Sequence, residues 1–318
     1  MFIFKAASEP GSFNWYTTNF LGYRKTYPIN LFNTAVVPDS QVENVFKATL
    51  QMVYDGEPRA SGFLISPDGL GVTARHVLYD DGEHTNVDGL RIVLPHFPRR
   101  LFPAFPLFPG SDKTYKYDCF QRSEFEIVSD PSKADFGDIA LIKLSDNHKP
   151  YPFIPLSDES HEFGTEVYSV GYPSGYPKIG LGEILDPMLS IGSQMEKLKL
   201  SKADDKDGIN NFLSRFTAYS SYEVVSNVQV EQGNSGGPLC LSNGKACGVN
   251  THLFTESSEP KQNQMVNWFN LKHKNYPIRK ITFSEPVKLL LDLLENVGAN
   301  VSRILAGRDS GIRLKKKP

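Results

Sequence analysis

Ser235 sits in Gly233-Asn234-Ser235-Gly236-Gly237-Pro238-Leu239, a glycine-rich turn around a hydroxyl that could serve as a nucleophile. A serine hydroxyl attacks acyl carbon poorly near neutral pH unless a base takes its proton, and a histidine held by a carboxylate is the usual base. Glycine has no Cβ, so such a turn can enter conformations closed to other residues and point amide N–H groups at a ligand atom. The amides of Gly233 and Ser235 are the candidate pair for an oxyanion hole. Taken alone, the stretch is also ordinary turn chemistry. Of seven histidines, His76 has the informative setting: Ser61 to Leu78 reads as strand, turn at Pro67-Asp68-Gly69, second strand, and a histidine where that strand ends. The carboxylate candidate, Asp138, opens the apolar run Ile139-Ala140-Leu141-Ile142-Lys143-Leu144. Each signal is weak by itself, and the order His, Asp, Ser makes them strong together.

The elements that must bring these three residues together are short apolar strands separated by Gly, Pro, Asn and Asp. That pattern predicts an all-β chain with a pair of barrels, not a parallel α/β sheet. Residues 1–42 read as an aromatic lead-in and 43–283 as the catalytic domain. Its first barrel, about 45–156, supplies His76 and Asp138; its second, about 164–283, supplies Ser235. Catalysis is then expected in the cleft between barrels. Ser284-Glu285-Pro286 reads as a helix start, and Val287, Leu290, Leu291, Leu294, Val297, Val301 and Ile304 recur at spacings of three and four. This predicts one amphipathic α-helix over about 285–306, within a C-terminal segment 284–318 that ends in a basic tail, Lys315-Lys316-Lys317. Two stretches exceed a minimal barrel pair: 95–121, where prolines alternate with aromatics, and the polar 186–222. Each reads as a loop that controls access to the cleft or as a plain surface loop.

These residues resemble the trypsin-like, chymotrypsin-fold serine peptidases, and among them the disulfide-free branch that includes the high-temperature-requirement proteases. Phe63 to His76 is similar to that branch's strand, Ser-Pro-Asp-Gly turn, strand and catalytic histidine. Asp138 to Leu144 is similar to its aspartate strand, and Ser226 to Leu239 with Gly248-Val249-Asn250-Thr251 to its nucleophile loop and substrate-flanking strand. The resemblance covers roughly 45–255 and implies two six-stranded-type antiparallel β-barrels. It implies that His76 is the base, Asp138 its orienting acid, Ser235 the nucleophile, and Gly233 and Ser235 the oxyanion donors. It also places Gln229 at the base of the primary specificity pocket, where an enzyme selective for Lys or Arg carries an aspartate, so uncharged side chains are the expected preference. Asn250, Thr251 and His252 follow on the flanking strand, Thr251 where a small hydroxyl residue supports the buried aspartate. Asn234 replaces the aspartate that pairs with a freed N-terminus in digestive enzymes, so activation by that ion pair is not expected. No second globular module fits after the helix, and the PDZ domain of the high-temperature-requirement proteases is expected to be missing. The expected activity is that of a serine endopeptidase on a protein or peptide substrate, with no metal and no organic cofactor. The alternatives are a catalytically silent peptide-binding module on the same scaffold and a serine esterase using the same three residues.

Composition sets the remaining bounds. With 318 residues, 34 basic against 36 acidic side chains and a net charge of −2, nothing in the overall charge points to nucleic acid or an anionic surface. No run of about 18 apolar residues predicts a membrane span. The first residues are too short an apolar stretch for a signal peptide, and the chain has three cysteines. A cytoplasmic location is therefore the default expectation, with non-classical export as the other route. Cys240 and Cys247 flank a probable hairpin turn and are read as two buried thiols or as a cross-strand disulfide. The sequence leaves the oligomeric state open.

Overall fold

The computed structural model describes residues 14–20, 23–29, 39–79, 89–95, 117–129, 136–145, 150–173, 178–190, 222–255 and 280–313, and structural statements refer to these. Most of the 95–121 loop, the 186–222 stretch beyond Ser190 and the basic tail lie outside them.

The lead-in contains a hairpin of β1 (Asn14–Phe20) and β2 (Tyr23–Ile29), followed by helix α1 (Asp39–Ala48). A seven-stranded antiparallel sheet comes next, built from β3 (Thr49–Tyr54), β4 (Glu57–Leu64), β5 (Leu70–Ala74), β6 (Leu90–Pro95), β7 (Tyr117–Phe120), β8 (Phe125–Ile127) and β9 (Ile139–Leu144) in the order β7-β6-β3-β4-β5-β9-β8. It curls into the first barrel. The second is fully closed, in the order β10-β11-β12-β15-β14-β13, from β10 (Glu166–Gly171), β11 (Lys178–Ser190), β12 (Tyr222–Ser226), β13 (Pro238–Leu241), β14 (Ala246–Thr255) and β15 (Lys280–Pro286). The fold is thus the mostly-β double barrel that the strand pattern predicts.

Strand alternation builds two kinds of core from the same strands. Leu64 and Ile142 point into the first barrel with Leu50, Met52, Ile92, Phe120 and Phe125. Their neighbours Phe63 and Leu141 point the other way, into a layer shared with Tyr168 and Val249 of the second barrel. The second barrel fills its own interior with Val167, Ile184, Val224, Val228 and Leu239. Val42 and Val45 of α1 and the C-terminal helices close the shared layer. The seam that must hold the site is therefore packed from four directions.

The C-terminal segment departs from the predicted single helix. Ser284, Glu285 and Pro286 end β15, and two helices follow, α3 (Val287–Asn296) and α4 (Val301–Leu305). The strand wins over the capping signal because both residues are buried on it: Ser284 faces into the closed barrel, where its Oγ donates to Asn250 Oδ1 at 3.0 Å, and Glu285 faces the first barrel. The break comes at Gly298, whose φ of +78° suits a residue without Cβ; Ala299 N–H returns to Leu294 O at 2.9 Å. Asn300 caps α4 by accepting Arg303 N–H at 3.1 Å.

Beyond α4 the chain folds back onto the Ser-Pro-Asp-Gly turn of the first barrel. Ser310 donates to the Asp68 carboxylate from its backbone at 3.1 Å and from its hydroxyl at 2.7 Å. Ser66 Oγ donates to the same carboxylate, and the fully buried Lys143 ammonium donates to Asp68 O. Burial alone would raise the Asp68 carboxyl, but these hydrogen bonds and the Lys143 charge outweigh it and hold the group below its ordinary value.

Candidate active site

β5 and β9 pair antiparallel with Ala74 opposite Ile139, so the residue that leaves one strand meets the residue that enters the other. Arg75 N–H donates to Asp138 O at 3.0 Å, extending the ladder by one step. The chain then makes a single helical turn, α2 (Arg75–Leu78), which turns His76 outward. Its backbone N–H donates to Asp138 Oδ1 at 2.8 Å, and its ring Nδ1 lies 2.5 Å from Asp138 Oδ2. A carboxylate only accepts, so Nδ1 carries the proton and Nε2 keeps its lone pair. Asp138 is buried, which would raise its pKa. The His76 charge and hydrogen bonds, with His252, outweigh burial and hold the carboxyl below its ordinary value. Asp138 is therefore ionised at neutral pH.

The Ser235 loop joins β12 to β13 and is clamped by the first barrel. Ser61 of β4 donates from its backbone to Ser235 O at 2.9 Å and from its hydroxyl to Gly233 O at 2.8 Å. Gly236 has φ +83°, and a Cβ there would lie 2.2 Å from Thr73 Oγ1 and 2.3 Å from Ser61 O. Only glycine fits at that position. From the other side Gly236 N–H donates to Asn250 O at 2.7 Å, and Asn250 N–H to Gly237 O at 2.9 Å. The N–H groups of Gly233 and Ser235 are engaged by no acceptor among the described residues. Ser235 itself is half-buried, and its hydroxyl donates to Thr251 O at 3.4 Å. The next residue, His252, packs its ring 5.6 Å from that of His76.

His252, a candidate on the substrate-flanking strand, thus lies against the His76–Asp138 pair. Burial drives its pKa down to about 4, aided by the His76 charge and opposed by Asp138. The donor atoms of His76, Asp138 and His252 lie within 4.8 Å of one another, and two imidazoles with a carboxylate are a set that could hold a divalent ion. At 2.5 Å, however, the Nδ1–Oδ2 contact is a hydrogen bond, and an ion would have to replace its proton.

The other specificity candidates have protein partners for their side-chain polar atoms. The Asn250 amide is spent inside the second barrel, donating to Ser169 Oγ at 2.6 Å and accepting from Ser284 Oγ. Thr251 Oγ1 donates to Phe283 O at 3.2 Å. Gln229 Nε2 donates to Asn227 O at 3.2 Å, and its backbone passes so close to Gly180 that a Cβ there would lie 1.9 Å from Gln229 O. Asn234 is buried, its amide packed against Gly171.

A family profile described as a trypsin-like peptidase domain matches residues 60–249, from the strand that clamps the Ser235 loop to the strand flanking it. The chain belongs to the trypsin-like peptidase family. Curated relatives of this trypsin-like chain include probable periplasmic serine endoproteases, DegP-like, from Rickettsia conorii (28% identical over 200 residues, 62% of this chain and 29% of the relative) and Chlamydia pneumoniae (27% over 203 residues, 63% and 30%). The chain spans under a third of their length. Among solved structures, Rv3671c from M. tuberculosis H37Rv, in an inactive form, aligns over 85% of this chain and 96% of that one at 18% identity and a TM-score of 0.49.

These relatives correct the cytoplasmic expectation. The curated matches are named as periplasmic proteins, which points to a periplasmic or secreted protein. A low cysteine count does not discriminate here, because a core this extensive needs no disulfide in either compartment, and Cys119, Cys240 and Cys247 are free thiols.

Two residues that no sequence signal singled out bind directly to the site. Ser61 precedes a glycine in an ordinary strand. Glu285, which reads as a helix-start acid, is fully buried and accepts the Asp138 N–H at 2.6 Å.

Proposed function

We propose that this trypsin-like domain is a serine endopeptidase acting through an acyl-enzyme on Ser235. Ser235 Oγ attacks the scissile carbonyl as His76 Nε2 takes its proton. The resulting oxyanion is held by the N–H groups of Gly233 and Ser235, and His76 returns the proton to the departing amine. Water then repeats the sequence on the ester. Asp138 fixes the His76 tautomer and stabilises the imidazolium. The observation that carries this reading is the 2.5 Å contact between His76 Nδ1 and a buried, ionised Asp138, set against a glycine loop with two unengaged amides. Ser235→Ala is expected to abolish peptide turnover and labelling by a fluorophosphonate probe while leaving the thermal transition intact. Native turnover in that variant would refute the assignment.

The substrate is a protein or peptide, with Gln229 at the base of the primary pocket. An amide there provides no counter-charge for Lys or Arg. In a peptide library the expected cleavage follows uncharged side chains, and efficient cleavage confined to Arg and Lys would overturn the pocket assignment.

A further inference from the structure

A carboxylate at the mouth of a strand holds its direction only as well as its own backbone is held. All four polar atoms of Asp138 are engaged: O by Arg75 N–H, Oδ1 by His76 N–H, Oδ2 by His76 Nδ1, and N–H by Glu285 Oε1 at 2.6 Å. Of these partners Glu285 alone comes from the second barrel, the one that carries Ser235. It lies on β15, 147 residues away in sequence, and is 0% exposed. The residue before Asp138 is built around it. Gly137 has φ +72°, and a Cβ there would lie 2.6 Å from Glu285 Cδ, Oε1 and Oε2. Glu223 lies one step along the β12–β15 ladder, in which Val224 faces Ser284, and is buried too. Burial, then Glu285 and Asp138, push the Glu223 carboxyl well above its ordinary value.

We propose that Glu285 is a positioning residue for the base: by anchoring the Asp138 N–H it sets the carboxylate that orients His76, and it ties that pair to the barrel carrying the nucleophile. This rests on the reading of Asp138, His76 and Ser235 given above. The link crosses the same seam that the proton from Ser235 to His76 must cross, and misplacement of a catalytic group by 1 Å costs on the order of a hundredfold in rate.

The test compares Glu285→Gln, which keeps an acceptor oxygen at the same reach, with Glu285→Met, which keeps the length and apolar body but has no such oxygen. Per active site, the Gln variant is expected to keep kcat within roughly threefold of wild type, and the Met variant to lose roughly tenfold or more in kcat at unchanged KM. The downfield proton signal of His76 Nδ1–H, read by NMR in a Ser235→Ala background, should persist with Gln and shift or broaden with Met. Equal kcat and an equal signal in both variants overturn the proposal. If Met does not fold, Glu285→Asp replaces it with the same expectations; failure of both beside a fully active Gln variant also overturns it, since Glu285 would then serve the fold and not the base. If wild-type protein never reacts with a fluorophosphonate, the peptidase reading fails, while the Nδ1–H signal, which needs no turnover, still decides on Glu285.

Discussion

At the scale of single residues, the pairing of His76 with Asp138 was legible because acyl transfer demands those types and their order was readable. What the side chains beside them do was not. Asn250 and Thr251 sit on the strand flanking the nucleophile loop, yet their side-chain polar atoms bond within the second barrel, beside a register shift in β14 between Asn250 and His252 that no propensity encodes. That shift turns His252 toward His76. Its lowered pKa has a thermodynamic signature: between about 4 and the ordinary histidine value near 6.5 the unfolded chain binds a proton that the folded one refuses, so this group makes stability rise with pH through that window. His252→Gln should remove that contribution, making the slope of unfolding free energy between pH 4.5 and 6.5 shallower by up to about 1.4 kcal/mol per pH unit. Urea titrations at several pH values measure it, and parallel slopes in the two proteins would rule the argument out.

At the scale of elements, the strands around the site were predictable from alternation and from the Pro67-Asp68-Gly69 turn, and the C-terminal helix from its spacing. The failure at Ser284-Glu285-Pro286 has a physical reason: local capping chemistry is worth about 1 kcal/mol, and a strand closing a barrel offers more. The break between α3 and α4, by contrast, was written in Gly298 and Asn300, a glycine past one helix end and a cap at the next. The nucleophile loop is set by contact between elements. Gly236→Ala places a methyl group inside Thr73 and Ser61 of the first barrel at a positive φ. Loss of at least roughly a hundredfold in activity is expected, with destabilisation of about 1–3 kcal/mol, whatever the local propensity of alanine. Assay of probe labelling alongside thermal unfolding checks both, and a native labelling rate would show that the loop can move aside.

At the scale of the whole molecule, the two barrels are joined by an apolar layer with polar bonds across it, Ser61 to the nucleophile loop and Glu285 to Asp138. The bond from Ser310 to Asp68 adds a tie from the C-terminal segment. Ser310→Ala removes a hydrogen bond to a carboxylate and should cost about 1.5–3 kcal/mol at neutral pH. The Asp68 carboxyl is held below its ordinary value, so the stability it contributes is present above the unfolded value near 3.9 and disappears as acid protonates the folded group. The difference in Tm between wild type and Ser310→Ala should therefore vanish on acidification below that value; a constant difference would mean that the hydroxyl acts without the charge. The same tie orders events in time. Asp68 and Ser310 are 242 residues apart, so the first barrel must wait with this carboxylate half-satisfied until Ser310 has been made. A ribosome-bound chain stopped short of residue 310 should be open to proteolysis at the Pro67-Asp68-Gly69 turn, and extension past it should close that window.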